Sequence, residues 1–137
     1  IRHWGVTDRV KLLGRISEED LPAYYGACSL FCLSSVQKTE AFGIVQIEAM
    51  SCGKPVVATR IPQSGVAWVN SDGESGLNVE PCDARALAHA IMTLCSDDAL
   101  YQRLSNGARE RFDKIFTYDK MIDNTLTIYN QLWKKQQ

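Results

Sequence analysis

The sequence predicts one α/β domain, a parallel sheet with helices on its faces, from three observations. Short apolar runs rich in Val, Leu and Ile alternate with stretches of helical periodicity, which implies crossover connections between parallel strands. Gly53 and Pro55 stand where one helical stretch must stop and the next apolar run begins. The 137 residues, 45% of them hydrophobic, suffice for one core and leave no room for a second domain.

The expected strands are Val10 to Leu13, Leu30 to Leu33, Val56 to Thr59 and Leu77 to Val79. After the first, Ser17-Glu18-Glu19-Asp20 reads as a capping-box-like helix start, followed by Leu21, Tyr24, Tyr25 and Cys28 at helical spacing; Pro22 leaves the exact start open. A second helix is expected from about Gly43 to Cys52. Asp83 caps a third, with Leu87, Ala88, Ile91, Leu94 and Cys95 on one face. Asp97 or Asp98 opens a fourth, carrying Leu100, Leu104, Ala108 and Phe112. Thr117 precedes the last, within 118–135, where Tyr118, Met121, Ile122, Thr125, Tyr129, Leu132 and Trp133 keep helical spacing. So much apolar surface must pack on something. Ile1 to Gly5 carry neither a starting Met nor a cap signal, and read as the beginning of an excerpt from a larger protein.

Composition narrows the function classes. Fifteen Lys plus Arg balance 16 Asp plus Glu, scattered apart from Lys134-Lys135, so nothing electrostatic favours nucleic acid. No apolar run approaches the roughly 20 residues that span a bilayer, and no signal-peptide pattern opens the chain, so contact with a membrane would be peripheral. Five cysteines, Cys28, Cys32, Cys52, Cys82 and Cys95, lie mostly in apolar stretches without a CxxC pair. Buried free thiols in a reducing cytoplasm are the expectation.

The chemistry concentrates in Glu40-Ala41-Phe42-Gly43-Ile44-Val45-Gln46-Ile47-Glu48. At about 100° per residue, Glu48 shares a helix face with Ile44 and Cys52, while Gln46 points away. A carboxylate on an apolar stripe needs hydrogen-bond donors. Adjacent hydroxyls of a ribose would serve, and so would a structural backbone or Lys partner. The unpaired N–H groups near Phe42, Gly43 and Ile44, with the positive end of the helix dipole, form an anion site at the carboxyl end of a strand. Glu40 would repel an anion it touched, and fits either a neutral sugar hydroxyl one step outward or a favourable interaction with the helix dipole. Further on, Ser64 and Gly65 either offer backbone N–H groups to an anion or sugar, or form an ordinary strand-to-helix turn.

Taken together, these residues resemble the retaining GT-B glycosyltransferases of family 4 over essentially the whole chain. The pattern is V-x-x-x-G from Val10 to Gly14, then Tyr-x-x-Cys-Ser, then S-S-x-x-x-x-E-A-F-G-x-x-x-x-E-A-M-x-x-G-x-P-V-V-A from Ser34 to Ala58. Ile61 to Pro81 looks most like enzymes that build bacterial surface polysaccharides. The resemblance implies a Rossmann-like sheet, one half of a GT-B fold lacking its first strand or strands, with the last helix packing toward a missing N-terminal domain. It implies that Glu48 binds the ribose hydroxyls and that Glu40 holds a hydroxyl of the donor sugar as the catalytic candidate. Backbone amides of Phe42, Gly43 and Ile44 would hold the diphosphate, with the Gly14, Arg15 and Ile16 loop against the nucleobase. Ser64 and Gly65 would sit beside the transferred sugar and phosphate, although Gln63 stands where such enzymes usually have glycine. The family's basic pair on the diphosphate has no match here and would precede Ile1.

The implied activity is transfer of a hexose from a UDP- or GDP-sugar, with retention, to a glycan or lipid-linked acceptor held by the N-terminal domain; this segment alone would be inactive. No cofactor and no metal are expected, because Asp97-Asp98 opens a helix and no acidic motif follows a strand. His3 and His89 are poor bases. The alternatives are a non-catalytic nucleotide-binding or interaction module, a sugar-nucleotide epimerase, or a phosphorylase, for which Lys54 is poorly set as a pyridoxal lysine.

Overall fold

Four consecutive buried residues, Val56 to Thr59, make the middle strand of the sheet. The computed structural model describes residues 2–134; Ile1 and residues 135–137, including the last position of the expected terminal helix, lie outside them. In chain order the elements are α1 (Leu21–Ala27), β1 (Phe31–Leu33), α2 (Ile44–Ser51), β2 (Val56–Thr59), α3 (Val66–Val69), β3 (Gly76–Val79), α4 (Ala84–Ser96), α5 (Asp98–Arg111), a π-helical turn (Phe112–Phe116) and α6 (Tyr118–Lys134). A 3-10 turn, Arg2–Trp4, precedes them.

The sheet runs β1-β2-β3 with every pairing parallel; Phe31 faces Val56 and Val57 faces Leu77. Side chains alternate across a strand, so β2 feeds two cores. Val56 and Ala58 join Tyr25 of α1, Ala49 and Met50 of α2, and Val66 and Val69 of α3 on one face. Val57 joins Ala90 and Leu94 of α4 and Leu104 of α5 on the other. The result is a three-layer helix, sheet, helix sandwich, as the alternating pattern predicts. Two caps form as expected: Asp83 and Asp97 accept from the N–H groups of Ala86 and Leu100, each at 2.9 Å.

Four local expectations are corrected. Val10 to Leu13 forms no strand: the Val10 N–H closes a turn onto the Val6 carbonyl at 3.0 Å, and Leu12 is 85% exposed. An apolar run becomes a strand only beside a partner that completes its ladder, and no described residue supplies one. Ser17 makes the capping contact expected of it, Oγ accepting from the Asp20 N–H at 3.1 Å, but residues 18–20 form a turn and the helix itself begins only at Leu21. The buried side of α4 is Ala90 and Leu94, flanked by Leu87 and Ile91, whereas Ala88 and Cys95 are exposed. Last, the thiols are free but not buried: Cys28 is half-buried and the other four are exposed.

α6 starts where Thr117 predicts it, yet none of its residues is buried. Met121, Leu126, Tyr129, Leu132 and Trp133 are all more than half exposed. Its apolar face is therefore uncovered among the described residues.

Candidate functional site

Parallel strands deliver three loops to the carboxyl edge of the sheet, and side chains fasten two of them together. Ser64 Oγ, in the loop after β2, donates to the Glu40 carbonyl at 2.5 Å, and the Gly65 N–H donates to the Ala41 carbonyl at 2.7 Å. Thr59 Oγ1, at the end of β2, donates to the Ser35 carbonyl. These bonds hold residues 35–42 in place before α2 begins. Of the two readings of Ser64 and Gly65, the bonds favour the ordinary turn: the Gly65 N–H is spent on Ala41 and the Ser64 N–H on Ile61.

Gly43 turns the chain into α2 with φ +75°, and a Cβ there would lie 2.6 Å from Gln46 Nε2 and 2.9 Å from Leu33 Cδ2. Both the left-handed backbone and the packing demand glycine. No described carbonyl accepts from the N–H groups of Phe42, Gly43 or Ile44. These donors and the positive end of α2 remain available to an anion. Phe42 is held against Trp68 and Phe116, with ring centroids 5.9 and 6.4 Å away. The Arg111 guanidinium lies over Trp68 and Phe116, and its Nε donates to the Val69 carbonyl at 2.8 Å.

Gln46 points away from Glu48, as the helical wheel implies, but into the core: it is fully buried, with Nε2 donating to the carbonyls of Phe42 at 3.3 Å and Val66 at 3.4 Å. Its amide fills the space that the missing Cβ of Gly43 leaves open. Gln46 Oε1 has no partner among the described residues.

Glu48 is half-buried and accepts a hydrogen bond from the Tyr25 hydroxyl to Oε2 at 2.7 Å. Both line a cavity of about 450 Å³ between α1 and α2, with Glu18, Leu21, Pro22, Ser51 and Cys52. Burial, then the carboxylate beside it, pushes the Tyr25 phenol well above its ordinary range, so it stays a donor. Glu40 is half-buried in a different place, with Oε2 3.5 Å from Ser35 Oγ, and lines a second cavity of about 350 Å³ with Ser35, Val36, Gln37 and Thr39. The two glutamates thus serve separate cavities. Gly14, with φ +68°, and Arg15 are exposed and Ile16 is half-buried; none of the three lines the Glu48 cavity.

Gln63 adopts φ +62°, the left-handed region that costs a side-chain-bearing residue about 1 kcal/mol or more. This explains why glycine suits the position. Tyr25 and Gln46 are the residues that sequence reasoning missed. Tyr25 lay in plain view at helical spacing, but nothing in one helix's period ties it to a carboxylate 23 positions later.

Comparison with known proteins bears on the fold and the family. The chain is 32% identical over 123 residues to an uncharacterized glycosyltransferase from Methanocaldococcus jannaschii, covering 90% of this chain and 34% of that protein. Sucrose-phosphate synthase from Thermosynechococcus elongatus superposes with a TM-score of 0.83 at 34% identity, over 98% of this chain and 33% of that one. Anabaena HepE in complex with UDP superposes with a TM-score of 0.80 at 32% identity, over 92% of this chain and 34% of that one. The chain thus spans about a third of the length of each relative. The Rossmann-like sheet that the resemblance implied is the one observed, half of the GT-B architecture of these neighbours. Sequence motif, sheet topology and matching residues 1–111 converge: the chain belongs to the family of glycosyl transferases group 1.

Proposed function

We propose that the chain is the nucleotide-sugar-binding part of a glycosyltransferase that moves a hexose, with retention, from a UDP- or GDP-sugar to a glycan or lipid-linked acceptor. The observation that carries this reading is Glu48, a half-buried carboxylate lining a cavity with one oxygen already satisfied by Tyr25. Such a group binds paired hydroxyls better than an exposed one, because the contacts are shielded from water. In support, the related HepE has been crystallised with both UDP and UDP-glucose.

In this reading the Glu48 carboxylate accepts from the ribose hydroxyls. The diphosphate lies at the start of α2, where the N–H groups of Phe42, Gly43 and Ile44 and about half an elementary charge of helix dipole oppose its negative charge. As the bond to the sugar breaks, charge grows on the leaving diphosphate, and those fixed donors stabilise it without a metal ion. Glu40, in its own cavity, holds a hydroxyl of the donor sugar. Gly14, Arg15 and Ile16 flank the base. Ser64 and Gly65 act indirectly, by holding the backbone of Glu40 and Ala41 in register. The uncovered face of α6 packs toward an acceptor-binding domain. Five free cysteines suit a cytoplasmic setting.

Isothermal titration of the full chain with UDP, GDP and their glucose and mannose conjugates tests the proposal. Wild-type protein binds one series, and Glu48→Ala weakens it roughly 10- to 100-fold, the scale of hydrogen bonds to a charged group. Circular dichroism of the variant stays unchanged. Absence of nucleotide binding by the wild type, or equal affinity in Glu48→Ala, would overturn it.

A further inference from the structure

Tyr25 stands outside every role assigned so far, yet it makes the one side-chain hydrogen bond to the Glu48 carboxylate among the described residues. Ser51 Oγ, also on the cavity wall, donates instead to the Glu48 backbone carbonyl at 2.6 Å. Tyr25 is 9% exposed, and its ring packs against Phe31 of β1 with centroids 5.7 Å apart. The hydroxyl is thus mounted on a ring that the core immobilises, and it fixes the far end of a side chain that otherwise keeps its torsional freedom. A carboxylate offers several acceptor sites over its two oxygens. With Oε2 engaged, Oε1 has no partner among the described residues.

We propose that Tyr25 is a positioning residue for nucleotide recognition: its hydroxyl anchors Glu48 Oε2 so that the carboxylate is presented, already oriented, to the vicinal hydroxyls of a ribose. The inference rests on the reading of Glu48 as a ribose ligand. Pre-orientation means that the ligand does not bear the entropy of ordering the glutamate, so Tyr25 acts on ribose affinity without touching it. The buried phenol keeps its proton, so the anchor holds across the neutral range. A tyrosine that merely tied α1 to α2 would affect all ligands of the cavity alike.

That difference supplies the experiment. Affinities of UDP and 2′-deoxy-UDP, and of GDP and 2′-deoxy-GDP, are measured by titration calorimetry on the full chain, on Tyr25→Phe and on Glu48→Gln. Tyr25→Phe keeps the ring and its packing. The wild type should prefer the ribose form of its nucleotide by about tenfold, and Tyr25→Phe should lower that ratio at least about threefold. Glu48→Gln should lower it further. If Tyr25→Phe does not fold, as judged by circular dichroism, Tyr25→Trp keeps an aromatic ring against Phe31 while moving the donor off Glu48, and the same ratio decides. A wild-type ratio in the tyrosine variant, even with weaker binding overall, overturns the positioning role while leaving Glu48 as ribose ligand intact. A wild type that binds neither UDP nor GDP, or that ignores the 2′-hydroxyl, overturns the ribose reading itself and this inference with it.

Discussion

Gly76, the first residue of β3, has no room for a side chain: a Cβ there would sit 1.9 Å from the Val56 carbonyl oxygen and 2.5 Å from Asn70 Oδ1. Asn70 is itself fully buried, donating to Asn78 Oδ1 at 2.9 Å and the Val56 carbonyl at 3.2 Å while accepting from Ser75 Oγ at 3.1 Å. Gly76→Ala must break this network or push two strands apart, and should destabilise by about 3 kcal/mol or more. Gly26, in α1, has nothing within 4 Å of its virtual Cβ, and Gly26→Ala should be neutral or stabilising by up to about 1 kcal/mol. Urea unfolding of the two variants checks the contrast. At this scale the sequence was partly legible. Glu48 drew attention as a charge sharing a face with Ile44 and Cys52, but that face is the open side of α2, with Ile44 64% exposed and Cys52 exposed, and the donor that meets the carboxylate, Tyr25, is a tertiary fact. Helical phase put Gln46 opposite Glu48, but phase does not say which side of α2 faces the core, and the buried side is that of Gln46, Ala49 and Met50. The amides of Ser64 and Gly65 looked free because their acceptors, Ile61 and Ala41, are set by loop geometry.

α6 spans 17 residues and buries none of them. In proteins most helical stability comes from tertiary packing of an amphipathic face rather than from propensity. Backbone amides of α6 should therefore exchange with solvent at least about 100-fold faster than those of α5, whose Leu104 and Ala108 are buried. Hydrogen-exchange mass spectrometry on peptides from the two helices checks this, and equal protection would mean that something covers the α6 face in solution. Elements bounded by strong local chemistry were readable: α2 between Gly43 and Gly53, α4 after the Asp83 cap, α5 after Asp97. Three of four apolar runs became strands. Val10 to Leu13 did not, because composition records a residue's liking for a sheet and not the presence of a neighbour to pair with. The π-helical turn at Phe112–Phe116 had no readable signal either. Its Phe116 packs against Phe42 and Trp68, contacts made across long sequence separations.

Across the whole molecule, the sheet edge is joined by hydrogen bonds between loops, yet it keeps Glu40 and Glu48 in separate cavities. Groups without shared partners contribute additively. On the proposed reading, Glu40→Ala and Glu48→Ala should each weaken binding of a nucleotide sugar. The double variant should show the product of the two losses to within about a factor of two. Glu40→Ala alone should leave the affinity for the bare nucleoside diphosphate unchanged. Calorimetry on the three variants checks both statements. On the same reading the separation bears on turnover: loss of the hexose empties only the Glu40 side, so the nucleoside diphosphate left between α1 and α2 should compete with fresh donor.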